Sequence, residues 1–329
     1  MLRRIIFIFG ILSMIPFLLP SILSADVNLR LGHPAPVTSI HHQWAEKFAD
    51  NLEKLSDRKI QTEVIGGGVL GNPKQQLAQL RAGKLDLWFM DINALFFAKE
   101  AKQFSVLFAP FLFRDQGHYR RFLNSNVFRE MMSDAEQKLG IKYLGIVGDR
   151  SPRGLSTVKR PIKSPDEMKG LKMRVPGLPF VADVWKVWGA SPTPVRGADI
   201  YQALQSGMVD GDDNGIVNQY ERGLLEVLKY HTPINYVHSG LGIYMSSYAW
   251  EKLSESQQKL AVEAATMVDK NQKPYSEMMT FYLDRLKAKG VTIVEPEIEK
   301  FKVPAKNVIA EFDGKFWPEG LYQKIQDIK

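Results

Sequence analysis

Strand-like and helix-like segments alternate along the first part of this chain, and that alternation constrains the fold more than any other feature. Runs with strand character at 27–31, 59–65 and 85–90 are separated by runs with helical character at 39–56 and 73–82. Strands that alternate with helices pack into sheets whose faces the helices cover. The sequence therefore predicts an α/β fold.

The rest of the chain continues in the same style and contains an unusually long helical run. The capping box that begins at Ser254 opens a helical pattern that extends to about residue 289. Pro274 lies inside this run, where it should kink or break a helix. The chain has 329 residues, enough for two domains of ordinary size, and a helix of this length can run across both of them.

The first 25 residues form a separate segment. Arg3 and Arg4 make a basic start, residues 5–23 are almost entirely apolar, and Ser24 and Ala25 are small. This order is typical of a secretory signal peptide and predicts cleavage after Ala25, with the mature protein in the periplasm. A retained N-terminal anchor is the alternative. The chain has no cysteine, which excludes disulfide bonds and thiolate chemistry.

Charge and short motifs argue against several classes of function. The formal net charge is +7, but the basic residues are dispersed and form no stripe with interleaved aromatics, so no nucleic-acid partner is expected. The chain has no G-x-S-x-G, H-E-x-x-H or P-loop motif. His41 and His42 are adjacent, and adjacent side chains on a helix do not face one another, so a shared metal is not expected. The sequence therefore predicts a protein without a catalytic constellation, a metal or a cofactor.

One glycine motif suggests a dinucleotide enzyme. Gly66, Gly68 and Gly71 match G-x-G-x-x-G, and Asp91 lies 20 residues after the last of them. In a dinucleotide-binding fold the helix begins within the glycines. Here the Asn-Pro pair at 72–73 supplies an N-cap and a first-turn residue, so the helix should begin later. We therefore expect a structural turn, and an exported oxidoreductase stays open as an alternative.

A second motif suggests calcium. The segment from Asp210 to Glu221 matches the calcium loop D-x-D-x-N-G-x5-E, in which carboxylates and an amide at alternate positions surround the ion. The sequence at 207–209 interrupts the incoming helix, and no second loop is present to pair with this one. A calcium-binding exported protein that uses this loop remains the alternative function.

Two arginines stand at strand ends where they could bind an anion together. In the short strand at 171–175, Met173 and Val175 share one face and Arg174 lies on the other. Arg153 lies earlier in the chain, in the Ser-Pro-Arg-Gly segment at 151–154. An arginine donates two parallel hydrogen bonds to a carboxylate, so two of them could clamp an organic acid. A solvent-facing charged strand edge is the other interpretation of Arg174.

Seven blocks of sequence then resemble one family, the DctP solute-binding proteins of tripartite ATP-independent periplasmic (TRAP) transporters. In chain order the blocks are NLRLGHPAP, GGGVLGNPKQQLAQLRAGKLDLWFMD, FAPFLFRD, RGLSTVKRPIKSPDEMKGLKMRVP, WGASPTPV, DIYQALQSGMVDGDDN and EVLKYHT. The first block begins at about residue 28, and the resemblance to the family extends to about residue 290. Each block is short, but their shared order is difficult to explain by chance.

The resemblance implies a fold and partners. The expected fold is α/β and two-lobed, with a hinge, crossing strands and a long helix spanning both lobes. Residues 26–150 with about 240–279 would form lobe I, and residues 151–239 with about 280–329 would form lobe II. The resemblance also implies a small organic-acid ligand, an integral membrane permease as partner, a monomeric state, and no enzymatic activity.

The resemblance further implies which residues hold the ligand. Arg174 would bind its carboxylate, and acidic acceptors near the arginines favour a hydroxylated acid such as a sugar acid. The family often places an aromatic residue two positions after its T-P-V block, where this chain has Gly197, so the pocket should be wider there or receive charge from Arg196. The expected ligand-binding residues are Arg174, Arg153, Asn214, Asp213, Asp91 and His33, with His238, Trp88 and Arg196 as weaker candidates.

Overall fold

The computed structural model describes residues 27–329, and two β-sheets organise this part of the chain. The signal peptide predicted at 1–25, with its cleavage site after Ala25, lies outside the described residues. The strands are β1 (Val27–Gly32), β2 (Ile60–Ile65), β3 (Leu87–Asp91), β4 (Ile141–Asp149), β5 (Arg153–Thr157), β6 (Lys172–Val175), β7 (Ser191–Pro194), β8 (Gly211–Asp212), β9 (Tyr230–Val237), β10 (Gly240–Ser246) and β11 (Thr292–Ile293).

Helices cover the sheets, as the alternation of segments predicted. None of the helices between residues 27 and 329 is long and apolar enough to cross a membrane. Short 3-10 helices occupy Ile92–Phe97, Lys99–Phe108, Pro165–Met168, Gly197–Asp199 and Leu224–Glu226. The α-helices are α1 (Ile40–Leu55), α2 (Pro73–Arg81), α3 (Gln116–Leu123), α4 (Asn126–Leu139), α5 (Pro179–Val187), α6 (Ile200–Gln205), α7 (Ile216–Glu221), α8 (Ser247–Trp250), α9 (Glu255–Lys270), α10 (Tyr275–Ala288), α11 (Ile298–Phe312) and α12 (Leu321–Gln326).

The two sheets define two lobes. The first sheet has the strand order β2-β1-β3-β10-β4, and β10 runs antiparallel to both of its neighbours. The second sheet has the order β11-β9-β5-β8-β6-β7 and mixes parallel with antiparallel pairs. Apolar side chains of α1 and α9 pack on the first sheet, with Trp44, Phe48 and Leu52 of α1 nearly inaccessible to solvent. The predicted α/β, two-lobed architecture is confirmed.

The chain crosses between the lobes through strands that are adjacent in sequence. Strand β4 of the first sheet leads directly into β5 of the second, and β9 of the second leads directly into β10 of the first. The two crossings are joined where the Arg150 N–H donates to the Ser239 carbonyl oxygen at 3.0 Å. The Gln116 side chain also binds both of them, through Asp149 Oδ1 at 2.7 Å and the Ser239 carbonyl at 3.2 Å.

The helical run predicted from Ser254 to about residue 289 is not one long helix. It consists of α9 and α10, because the chain leaves helical geometry before Pro274, which is the N-cap residue of α10. A proline ring clashes with the carbonyl four residues earlier, which explains the break. Helix α9 packs on α1 and β4 of the first lobe, whereas α10 packs on α7 of the second. The run therefore extends from one lobe to the other, but with a break between them.

Candidate solute-binding site

The glycine motif forms a structural turn between β2 and α2. An added Cβ at Gly66 would lie 2.8 Å from His33 Cε1, so only glycine lets this turn approach the histidine ring. The side chain of Asn72 caps α2, and the Asn72 N–H donates to Gln75 Oε1 at 2.9 Å. The helix therefore begins after the glycines, as the Asn-Pro pair predicted, and the turn lacks the arrangement that holds a pyrophosphate.

His33 is enclosed beneath that turn and away from the arginines. Its Nδ1 accepts the Ala35 N–H at 3.2 Å, so Nε2 carries the proton and donates to Nδ1 of His42 at 2.9 Å. The side chain has no solvent-exposed surface. Burial, together with the neighbouring His42, lowers the pKa of His33 to about 4. The structure therefore places His33 beneath the glycine turn, bonded to His42.

Arg153 and Asp213 form a buried ion pair in the second lobe. Arg153 donates from Nε to Asp213 Oδ2 at 3.1 Å and from Nη2 to Asp213 Oδ1 at 2.7 Å. The hydroxyl of Tyr236 on β9 donates to the same carboxylate at 2.8 Å. Although burial alone would lower the pKa of Arg153, the adjacent Asp213 charge raises it above its usual range. The predicted helper arginine is thus fixed in place by Asp213.

Arg174 lies next to this pair, with 5% of its surface exposed. Its Nε and Nη2 donate to the carbonyl of Val195 at 3.0 and 2.9 Å, and Nη1 donates to Asp213 Oδ1 at 3.2 Å. These bonds use three of the five guanidinium N–H groups, which leaves one on Nη1 and one on Nη2. Two such donors match the two oxygens of a carboxylate. The alternative of a solvent-facing strand edge is therefore wrong for Arg174.

The carboxylate of Asp212 binds several polar side chains next to the arginines. Its Oδ1 accepts from Asn214 Nδ2 at 3.0 Å, and its Oδ2 accepts from Gln219 Nε2 at 3.1 Å. Arg174 Nη1 lies 3.5 Å from Asp212 Oδ1. Burial raises the pKa of Asp212, and the Arg174 charge opposes that effect. The predicted residue Asn214 is therefore held within the same cluster as Arg174.

The calcium-loop residues serve purposes other than metal binding. An added Cβ at Gly211 would lie 2.5 Å from the Ser156 carbonyl oxygen, and one at Gly215 would lie 2.3 Å from Ser151 Oγ, so both glycines permit close backbone packing. The Glu221 carboxylate turns away and accepts the Ile40 N–H at 2.6 Å. Across residues 27–329, no three His, Asp or Glu side chains converge as a metal site. The geometry does not support the calcium alternative.

The first lobe contributes an ion pair of its own at the crossing. Asp91, the last residue of β3, binds the guanidinium of Arg150, and Ser239 Oγ donates to Asp91 Oδ1 at 3.2 Å. Asp91 was predicted as a site residue, whereas Arg150 was missed. The available signal was its position directly after β4, where the chain leaves one lobe for the other.

A second missed residue is Arg222, which follows α7. Its pKa is lowered, first by burial and then by the positive charges of Arg150 and Arg174. Arg150 of the crossing and Arg174 are therefore close enough to Arg222 for their charges to act on it. Nothing in a short motif marks Arg222, because α7 brings it to the site through the tertiary fold.

Three weaker candidates lie outside this cluster. Trp88 has no exposed surface and packs against Tyr244 in the core. His238 Nδ1 is bonded to Gln116 Oε1 at 3.1 Å, and burial lowers the pKa of His238 to about 4. The Arg196 side chain is 81% exposed and pairs with Asp199 at 2.7 Å. The structure therefore does not bring these three side chains to the arginines.

A large cavity of about 910 Å³ lies elsewhere, between α1 and the α9–α10 break. Its walls include Trp44, Tyr275 and Phe281, but none of Arg150, Arg153, Arg174 or Arg222. Burying charged groups is costly unless they are paired or bind an ion. Several buried charged groups that lie together therefore indicate a binding site better than the size of a cavity does. The arginine cluster is therefore the candidate solute site.

Two lobes, two crossings and an enclosed set of arginines between them define a solute-binding protein of the two-lobed periplasmic class. Residues 31–315 match the family model described as bacterial extracellular solute-binding protein, family 7 (DctP). The chain belongs to this family, whose members are TRAP solute-binding proteins that work outside the cytoplasm in transport. The predicted family is confirmed.

Individual relatives agree with this assignment. A solute-binding protein of Roseobacter denitrificans is 28% identical over 285 residues, which is 86% of each chain. A sialic acid-binding periplasmic protein of Vibrio cholerae is 26% identical over 88% of this chain and 89% of its own. A TRAP solute-binding protein of a Polaromonas species, solved with D-erythronate, matches with a TM-score of 0.84 and 26% identity, covering 92% of this chain and 99% of its own.

Proposed function

We propose that this protein captures a small hydroxylated organic acid, with a sugar acid favoured, and delivers it to an integral membrane permease. Capture and delivery involve no bond chemistry, so the solute leaves unchanged. The protein works in the periplasm as a monomer after removal of residues 1–25. Its lobes comprise 26–150 with about 240–279, and 151–239 with about 280–329.

The observation that carries this proposal is the geometry of Arg174. Its guanidinium is buried and held on the Val195 carbonyl and Asp213. These bonds leave one N–H on Nη2 and one on Nη1, which Asp212 Oδ1 approaches at 3.5 Å. A carboxylate accepts two parallel hydrogen bonds from such a pair, and the low-polarity surroundings strengthen them. The same cluster supplies Asn214 on the second lobe and Asp91 on the first, whose oxygens accept hydrogen bonds from ligand hydroxyls. Asp213, predicted as a ligand contact, instead holds the arginines, because each of its oxygens already accepts two hydrogen bonds.

The known ligands of relatives support the same class of solute. The Polaromonas protein was solved with D-erythronate and a Roseobacter denitrificans relative with L-galactonate. Both compounds carry one carboxylate and several hydroxyl groups. A site with two guanidinium donors and several carboxylate and amide oxygens matches this combination of groups.

The test is thermal unfolding of residues 26–329 with a panel of acids, followed by calorimetric titration of those that stabilise the protein. The panel contains aldonates, uronates, succinate and malate, with the corresponding neutral sugars as controls. A ligand that binds only the folded state stabilises it by about 4 kcal/mol at a thousandfold excess over Kd. We expect this effect from a hydroxylated acid and not from its neutral sugar. Tight binding of succinate, which has no hydroxyl group, with no response to hydroxylated acids would contradict the proposal.

A further inference from the structure

Arg222 and Arg174 are attached to the same short segment of backbone. Arg174 donates to the carbonyl of Val195, and Arg222 Nη1 donates to the carbonyl of Gly197 at 3.3 Å. These two carbonyls belong to residues two positions apart, which is at most about 7 Å along an extended chain. The two guanidinium groups are therefore both bonded to residues 195–197, and the Arg174 charge acts on Arg222.

The absence of a side chain at Gly197 makes room for Arg222. A Cβ added there would lie 3.7 Å from Arg222 Nη2 and 3.8 Å from its Cζ, in van der Waals contact with the guanidinium. Anything larger than a methyl group would compete with Arg222 for this volume. The positive charge expected at this place from Arg196 is therefore supplied by Arg222, because Arg196 points into solvent.

Arg222 differs from the other arginines of the cluster in its lack of a counter-ion. Arg150, Arg153 and Arg174 each have an aspartate within ion-pair distance. Over residues 27–329, no carboxylate oxygen lies within 4.0 Å of the Arg222 guanidinium. The neighbouring Glu221 accepts from the Ile40 N–H and from the Tyr282 hydroxyl at 3.2 Å, both through Oε1.

A partly buried guanidinium without a counter-ion is costly, and neighbouring positive charges increase the cost. Arg150 and Arg174 supply such charges, while Asp212 and Glu221 offset them only in part, since the pKa of Arg222 stays below its ordinary value. An anionic group bound at Arg222 would remove this penalty, and the solute is the group that enters the site.

We propose that Arg222 binds a second acidic group of the solute, so that the preferred ligand is a hydroxylated diacid. In this arrangement Arg174 holds one terminal carboxylate and Arg222 holds the other, with the hydroxyl groups of the chain between them. The inference rests on the proposed function and narrows its solute class from sugar acids in general to those with an acid at each end.

The experiment compares matched pairs of acids by calorimetric titration. Each pair is an aldarate and the aldonate of the same carbon skeleton, for example galactarate with galactonate and tartrate with erythronate or threonate. The proteins are the wild type, Arg222→Gln, Arg222→Lys and the control Arg196→Gln, which removes an exposed charge from the same segment. Circular dichroism and the melting temperature of each unliganded variant establish that it is folded.

We expect the wild type to bind at least one aldarate roughly tenfold or more tightly than its aldonate, because the second ion pair forms only with the diacid. Arg222→Gln should remove this preference, because it weakens the binding of the aldarate more than that of the aldonate. Arg222→Lys should keep part of the preference, since a lysine retains charge but not the planar fork. Arg196→Gln should bind both acids as the wild type does.

Three results would overturn the inference. Equal binding of aldonates and aldarates would show that the second acid makes no contact. Equal weakening of both acids in Arg222→Gln would show that Arg222 contacts the shared carboxylate or only supports the fold. If neither class of acid binds the wild type, the proposed function is wrong and the inference fails with it. In the first two results aldonates still bind, so the inference fails but the proposed function stands.

Discussion

Arg153 and Asp213 face one another as a fork, with two parallel hydrogen bonds of 3.1 and 2.7 Å that close the carboxylate onto the guanidinium. Both side chains therefore use hydrogen-bonding groups on each other that a solute could otherwise bind. Their main role is to fix each other, and through Asp213 to fix Arg174, whose Nη1 binds the same oxygen. The site is therefore ordered before a solute arrives, which lowers the entropic cost of binding.

Removal of the Asp213 charge should strongly destabilise the fold. Asp213→Asn leaves the buried Arg153 without its main counter-ion, and breaking one partner of a buried pair costs about 3–5 kcal/mol. Urea denaturation measures the loss. The matched control is Asp199→Asn, which breaks the exposed pair with Arg196 and should leave the denaturation midpoint near that of the wild type. Equal effects of the two substitutions would mean that the fork contributes no special stability.

Arg174 variants should separate binding from folding. Arg174→Ala leaves Asp212 without its cation, so it should lower both the melting temperature and ligand affinity. Arg174→Lys keeps a positive charge beside Asp212 and should fold, but it cannot donate the bidentate pair. We expect it to lose about 2–5 kcal/mol of binding free energy. Near-native affinity of a folded Arg174→Lys protein in calorimetry would identify a different carboxylate anchor.

Glu221 joins helix α1 of the first lobe to α7 of the second. Its Oε1 accepts the Ile40 N–H at 2.6 Å, which is one of the free donors at the start of α1. Glu221→Ala removes this bond and should weaken the contact between α1 and α7. We expect faster solute dissociation in stopped-flow measurements with little change in association. Glu221→Gln keeps an acceptor oxygen and should show a smaller effect, whereas equal effects would mean that charge alone matters.

Stability should fall in mild acid because five buried histidines have lowered pKa values: His33, His41, His118, His231 and His238. Burial lowers the pKa of His33, His231 and His238 to about 4. The unfolded chain takes up these protons near pH 6.5, so each histidine favours unfolding by about 1.4 kcal/mol per pH unit between there and pH 4. Urea denaturation across this range measures the slope. His231→Gln should make it shallower, and an unchanged slope would exclude His231 as a contributor.

Calcium should have no effect on stability. The Glu221 carboxylate is bonded to Ile40 and the Asp212 carboxylate to Asn214 and Gln219, so the ligands of the apparent calcium loop cannot converge without breaking these contacts. We expect the same melting temperature with calcium and with a chelator, in the wild type and in Asp210→Ala. A calcium-dependent rise that Asp210→Ala abolishes would restore the calcium alternative.

The sequence predicted the segments well because local chemistry determines them. The N-cap Asn72 and the proline at 73 place the start of α2, and the capping box at Ser254 starts α9. The sequence predicted that Pro274 would kink or break the helix, but the local pattern could not decide between the two. The structure has a break, since α9 and α10 each pack on a different lobe.

Site residues were predictable where a block of sequence carried them and not elsewhere. Arg153, Arg174 and Asp213 meet as expected, whereas Arg150 and Arg222 reach the cluster only through the crossing strands and α7. His33 was placed near the solute because it follows β1, yet its burial under Gly66 depends on a turn more than thirty residues later. Which side chains share a wall of the site is a property of tertiary packing, and no local pattern encodes it.

The position of β10 has a consequence for how the chain is made. This strand lies between β3 and β4 in the first sheet, although it is separated from β4 along the chain by most of the second lobe. The first sheet therefore cannot be completed during synthesis until residue 246 has emerged. A chain whose earliest strands wait for a late one stays loosely folded for longer, and that delay suits a protein that has to pass through a membrane before it folds.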